Sequence, residues 1–223
     1  MAATLAQMRS RVAFALGNKS GINDFIDRNL NEATLQHTLR VHPKEMQTST
    51  TFSTTGAIAE YGISDGDTVN VSDLYGILYV RDSTDDVPLE QGNETEWNDS
   101  KQSLTDTSRH GDPRKWLHIE RKLVLYAQIP NTDSRTIKVR YLKRPATMTS
   151  SVDFPLNDEH IRPVEQLAKA LTWLDLGNEE KAQAALAAYE TLVAERFEPI
   201  DIEDMSPEFR FTPVHNLYLE SGD

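Results

Sequence analysis

The sequence predicts an α+β protein: a small helical bundle of two N-terminal and two C-terminal helices, an inserted antiparallel β domain, and an extended C-terminal arm. Three observations predict it. Apolar residues recur at helical spacing from Leu5 to Leu16 and from Ile22 to Val41, then again from Ile161 to Val193. Between these pairs the period changes to two, as in Ile137-Lys138-Val139-Arg140-Tyr141. After Pro199 neither period continues. The divisions follow: 1–44 for the first helix pair, 45–157 for the β-rich insertion, 158–198 for the second pair and 199–223 for the arm.

Thr4 is placed to cap the first helix, whose face is Leu5, Met8, Val12 and Leu16; Phe14 points the other way, and Gly17 supplies the stop. The second helix carries a core stripe of Ile22, Phe25, Ile26, Leu30 and Ala33. Leu35 and Leu39 lie one turn apart on another side, as a second core contact or a subunit contact. His42-Pro43 ends the helix, because a residue before proline avoids the α region.

From Glu45 to Thr55, Met46, Thr48, Thr50 and Phe52 alternate with polar residues. So little apolar content predicts an exposed hairpin or arm rather than a core strand. Leu74 to Arg81 predicts a strand with a bulge near Gly76. Asn93 to Leu104 predicts a short helix anchored by Trp97 and Leu104, and Thr105 to Asp112 a polar loop. Trp116–Ile119 and Lys122–Ala127 form a hairpin turning at Glu120-Arg121, and with Arg135–Leu142 they predict a three-stranded antiparallel meander.

Asp158 is placed to cap a helix reaching Leu176, with Pro163 tolerated near its first turn. Ile161, Val164, Leu167, Ala168, Leu171 and Leu174 cover its wide apolar arc; Trp173 lies off it, a candidate subunit contact with Leu35 and Leu39. Gly177-Asn178 is a stop followed by a new N-cap, and the last helix has a narrow stripe from Ala182 to Val193. The arm retains Phe209, Phe211, Leu217 and Tyr218, more aromatic than a solvated tail usually is.

Composition narrows the function. Lys and Arg number 23 against 35 Asp and Glu, a net charge of −12, which disfavours tight phosphate binding. There are no cysteines, so disulfides, thiolate zinc sites and cysteine nucleophiles are out. No apolar run reaches the ~18 residues of a membrane span. Arg9 and Arg11 interrupt the N-terminal apolar pattern, against a secretory signal. The six histidines form no HExxH, and no GxGxxG or GxxxxGK[ST] phosphate loop is present. Asp153, Asp158, Glu159 and His160 read as helix-start residues. Arg135, Lys138, Arg140, Lys143 and Arg144 form a basic cluster: a solvated strand face, or a contact with an acidic partner or DNA.

Three stretches carry a resemblance. The first is Leu5-Ala6-Gln7-Met8 through Gly17, with Ile22-Asn23-Asp24-Phe25 through Leu30-Asn31-Glu32-Ala33. The second is Gly111-Asp112-Pro113-Arg114-Lys115-Trp116, then Leu123-Val124-Leu125-Tyr126 and Val139-Arg140-Tyr141; the third is the helix pair from Asp158 to Arg196. In this order they resemble the head-to-tail adaptor proteins of tailed bacteriophages, which sit beneath the portal. The resemblance implies a structural virion protein made in the host cytoplasm, with no catalytic residues and no cofactor. It implies a ring of about twelve copies closed by heterologous contacts. Its partners would be itself, the portal protein and the next tail or nozzle component, with double-stranded DNA passing through without tight binding and no membrane contact. Phe209, Phe211, Leu217 and Tyr218 would dock on the portal or a neighbour. The rivals are another neck, head-completion or tail-tube component, and, in a different class, a host-interaction module or small enzyme.

Overall fold

Helix α1 (Leu5–Ala15) starts at a capping box: Thr4 Oγ1 accepts from the Gln7 amide at 3.2 Å, and Gln7 Oε1 accepts from the Thr4 amide at 3.1 Å. It ends where Gly17 turns left-handed at φ 79°, with the Gly17 and Asn18 amides donating back to Phe14 and Ala13. These features belong to a computed structural model that describes residues 3–55, 58–101, 110–126, 129–130 and 134–197. The predicted arm, 199–223, lies outside the described residues, as does Leu104.

Helix α2 (Asn23–Val41) buries Ile26, Leu30 and Ala33, and with them Asn29, Thr34, His37 and Thr38. Its core face is therefore partly polar. Phe25, expected in the apolar stripe, is 40% exposed. The polar residues of the true face are invisible to apolar periodicity, so the sequence stripe is rotated toward Phe25. Helix α4 (Ile161–Asp175) packs against α1, α2 and α5 (Glu179–Arg196). Asp158 does not cap it directly: Asp158–His160 form one 3₁₀ turn, and α4 begins after it without a side-chain cap. Pro163 sits in the first turn, where no intrahelical amide is required of it. Asn178 caps α5, accepting from the Lys181 amide at 3.1 Å.

Between α2 and α4 the chain builds an eight-stranded sheet ordered β1-β10-β4-β5-β7-β8-β2-β3. The strands are β1 (Gln47–Ser53), β2 (Glu60–Ser64), β3 (Val69–Asn70), β4 (Leu74–Asp82), β5 (Val87–Gln91), β7 (Lys115–Ile119), β8 (Lys122–Tyr126) and β10 (Thr136–Lys143). A separate two-stranded ladder pairs β6 (His110–Gly111) with β9 (Ile129–Pro130). The end strands β1 and β3 touch, and the Phe52 and Tyr61 rings lie 4.9 Å apart, so the sheet curls around one interior. That interior is lined by Phe52, Ile63, Val80, Leu89, Trp116 and Leu125, among others.

Three expectations are corrected here. The segment expected to be an exposed hairpin or arm, Glu45–Thr55, contains β1, a full edge strand paired antiparallel with β10 from Gln47 to Ser53. Thin apolar content suffices because an edge strand buries one face, here through Phe52. The predicted meander does not form: β7 and β8 make the expected hairpin, but β8 then pairs with β2, and β10 inserts between β1 and β4. The sheet is also mixed rather than antiparallel. Helix α3 (Glu94–Lys101) lies in the crossover that returns the chain parallel to β5, and β2 pairs parallel with β3.

Helix α3 explains why β8 is apolar on both faces from Leu123 to Tyr126. Leu123 and Leu125 face the sheet interior, while Val124 and Tyr126 face outward onto Trp97. At the other side, register shifts in β10 opposite Leu78 and Tyr75 re-aim residues toward the helices. Leu78, Tyr75 and Leu142 consequently join the helical core with Met8, Leu30 and Leu167.

Candidate assembly surfaces

The C-terminus of α1, the N-termini of α2 and α5 and the C-terminus of α4 meet at one end of the helical layer. There Arg28 Nη2 contacts Asp175 Oδ2 at 2.7 Å, Asn29 Nδ2 donates to the same oxygen at 2.7 Å, and Lys19 and Lys181 hold their ammoniums 4.9 and 4.5 Å from the centre of the Trp173 ring. Further ion pairs cross between helices: Arg9 to Asp27 at 3.0 Å, Arg11 to Glu165 at 2.6 Å and Arg40 to Glu190 at 3.2 Å. The same end displays Phe14 at 76%, Leu174 at 51% and Phe25 at 40% exposure. Large apolar side chains in water gain by association, roughly 1.5–3 kcal/mol for each one fully buried.

Of the sequence-predicted contacts, Leu35 is half-buried, and Leu39 is half-buried against the helical core beside Gly76 of β4. Trp173 is 9% exposed and packs in the helical core, although it lies off the apolar arc of α4. Helix α4 packs against α1, α2 and α5, so a one-sided arc wrongly leaves Trp173 out of the core and wrongly puts Leu174 in it. Phe209, Phe211, Leu217 and Tyr218 lie outside the described residues. The signal for the exposed end was legible only in Phe14, which opposes the buried face of its helix.

A second feature lies deeper. His37 of α2 is fully buried; its Nδ1 is 3.2 Å from the Tyr189 hydroxyl of α5 and its Nε2 is 2.9 Å from His160 Nδ1. His160 Nε2 faces Glu45 Oε1 at 3.5 Å, and Phe197 stacks on the His160 ring at 4.7 Å. One proton is shared between His37 Nε2 and His160 Nδ1 and another between His37 Nδ1 and the Tyr189 hydroxyl, so the three groups form a continuous hydrogen-bonded chain. Burial, and next the proximity of the second titratable ring, His160, lower the His37 pKa to about 3. Burial also lowers that of His160, opposed by Glu45 and Glu159. Burial raises the Tyr189 phenol above its ordinary value. The chain of neutral rings ties α2, α4 and the end of α5 together. Among the described residues, no group of three or more His, Asp or Glu could hold a metal ion.

The basic cluster divides. Arg135 has turned inward to meet Asp82, Asp85 and Asp112, the last at 2.5 Å, which joins the start of β10 to the β4–β5 turn and to Asp112, just after β6. Lys138 and Arg140 instead point outward from β10.

The decisive comparison concerns the whole chain. The model of the SU10 adaptor protein family matches residues 3–214, both helix pairs and the entire sheet included. The chain belongs to that family. This adaptor is therefore a phage protein with a structural role, one that assembles with other capsid and tail proteins, and the virion is its place. No curated protein matches it. Among the described residues no helix of the adaptor is long and apolar enough to cross a membrane.

Proposed function

We propose that the adaptor forms a ring of about twelve copies, joined by heterologous contacts that close, between portal and tail. The ring extends the DNA channel and offers a platform to the next tail or nozzle component. The observation that carries this reading is the apolar end of the helical layer, Phe14, Phe25 and Leu174, on a chain matched almost throughout by an adaptor family. Leu35, Leu39 and Trp173 are proposed as further subunit contacts. Trp173 and Leu39 already spend much of their surface inside the chain, so Leu35 and the exposed end contribute more.

The same proposal assigns 1–44 and 158–198 to one helical unit, 45–157 to the inserted β unit, and 199–223 to an arm. Phe209, Phe211, Leu217 and Tyr218 of the arm lie along the portal or a neighbour. Phe209 and Phe211 fall on one side of an extended segment, and Pro207 and Pro213 reduce the entropy lost on docking. No catalysis and no cofactor are assigned. Co-sedimentation with portal tests the reading: wild type travels with portal, and the chain lacking 200–223 does not. Equal binding by both removes the arm from the account. Turnover by the isolated monomer would instead favour an enzyme.

A further inference from the structure

The outward face of β1, β10 and β4 carries an arrangement that stability alone disfavours. Lys138 of β10 stands directly opposite Arg81 of β4, and Arg140 directly opposite Tyr79. Like charges on opposed sheet positions repel. On the other side, Thr51 of β1 stands opposite Lys138, and Ser49 opposite Arg140. Arg81 is partly compensated by Asp86 in the following turn, Nε to Oδ1 2.8 Å. Arg140 donates to Gln47 Oε1 at 2.5 Å and lies 5.9 Å from the centre of the Tyr79 ring. Among the described residues Lys138 has no ion-pair partner. No carboxylate points outward from these three strands, although the chain carries a net charge of −12.

We infer that this lane is a contact surface for the phosphate backbone of duplex DNA. Cations flanked by hydroxyls are the groups that meet phosphate oxygens without reading sequence. A protein partner fits less well. Interface centres are depleted in charged residues and rich in apolar anchors, and Tyr79 is the one large apolar body beside the cations. The acidic remainder of the chain keeps the contact weak and sensitive to salt, which suits a surface that DNA slides past. The inference adds to the proposed channel the surface turned toward it. It is measured on the isolated chain, whereas ring formation is measured with portal, so either can fail without the other.

Fluorescence anisotropy of a labelled random-sequence duplex, titrated with the full chain up to about 1 mM, covers the range of non-specific binding. Each neutralised phosphate contributes about 0.9 to the slope of log affinity against log salt. The double substitution Lys138→Gln and Arg140→Gln is expected to flatten that slope by about 1.8, so that a fourfold rise in salt costs the variant about 12-fold less affinity than it costs wild type. Lys138→Gln alone, which disturbs no ion pair, should flatten it by about 0.9 and guards against misfolding of the double variant. Lys122→Gln, on β8 and paired with Glu60 at 2.8 Å, should leave the slope unchanged. Absence of binding by wild type, or an unaltered slope in a folded Lys138→Gln chain, would overturn the inference. So would loss of self-association by the double variant with DNA binding intact, since the lane would then serve the acidic surface of a second copy.

Discussion

Lowering the pH should unlock the helical layer through His37. Its folded pKa is about 3 against 6.5 for the ordinary side chain, so the unfolded chain binds the proton and the folded chain resists it. The corresponding stability is complete above about pH 6.5 and falls as pH drops toward 3, by up to ~1.4 kcal/mol per unit. At about pH 4.5 His37 alone accounts for a loss of roughly 3 kcal/mol, and His160, shifted the same way, adds to it. That is a large share of the 5–15 kcal/mol typical of a folded domain. The substitution His37→Gln keeps a donor and an acceptor but removes the titration. At neutral pH it should cost about 1–2 kcal/mol for imperfect hydrogen bonds to Tyr189 and His160. Urea denaturation of both proteins from about pH 7.5 to 4.5 should show the wild type losing roughly 2–3 kcal/mol more than the variant. Parallel stability curves would refute the reasoning, because they would mean that His37 is charged or solvated in the folded chain.

Other perturbations separate packing from assembly. Phe14→Asp should leave the monomer's melting temperature unchanged while preventing ring formation with portal, read by native mass spectrometry; full rings would clear that end of the helical layer of any contact role. Leu39→Asp should lower the melting temperature of the monomer itself, because Leu39 packs on the helical core; an unaltered melting curve would place it at a neighbour instead. Arg135→Met strands the buried Asp82 carboxylate and should destabilise the chain by about 3–5 kcal/mol in urea, with a smaller loss in an Arg135→Met, Asp82→Leu double variant. Gly92→Ala would place a Cβ 1.5 Å from the Tyr126 hydroxyl, which donates to Glu96 at 3.0 Å, so a loss of roughly 1–3 kcal/mol is expected from thermal unfolding.

The helices were legible because local signals agree with the fold. Thr4, Gly17, Gly177 and Asn178 mark termini that appear where their chemistry requires. The strands around Leu74–Asp82 and Lys122–Tyr126 were equally plain. Their pairing was not. β10 finds its neighbours 55 or more positions upstream in β4 and farther still in β1, and nothing local encodes such a distance. Polar core groups misled in the same manner. Asn29, Thr34 and His37 are inside because partners on α4, α5 and the helix's own carbonyls satisfy them, and no window of sequence displays those partners. The exposed end escaped notice for the converse reason: Leu174 and Phe25 have the right residue type for a core and the wrong neighbours.

The central claim is a closed adaptor ring on the portal, and cryo-electron microscopy of the full chain mixed with its portal tests it most directly. The account predicts a ring with as many copies as the portal has subunits, the helical end of Phe14, Phe25 and Leu174 covered by protein, and density for residues 199–223 along the portal or a neighbouring copy. A chain that remains monomeric beside assembled portal, or that binds with Phe14, Phe25 and Leu174 facing solvent, would contradict it.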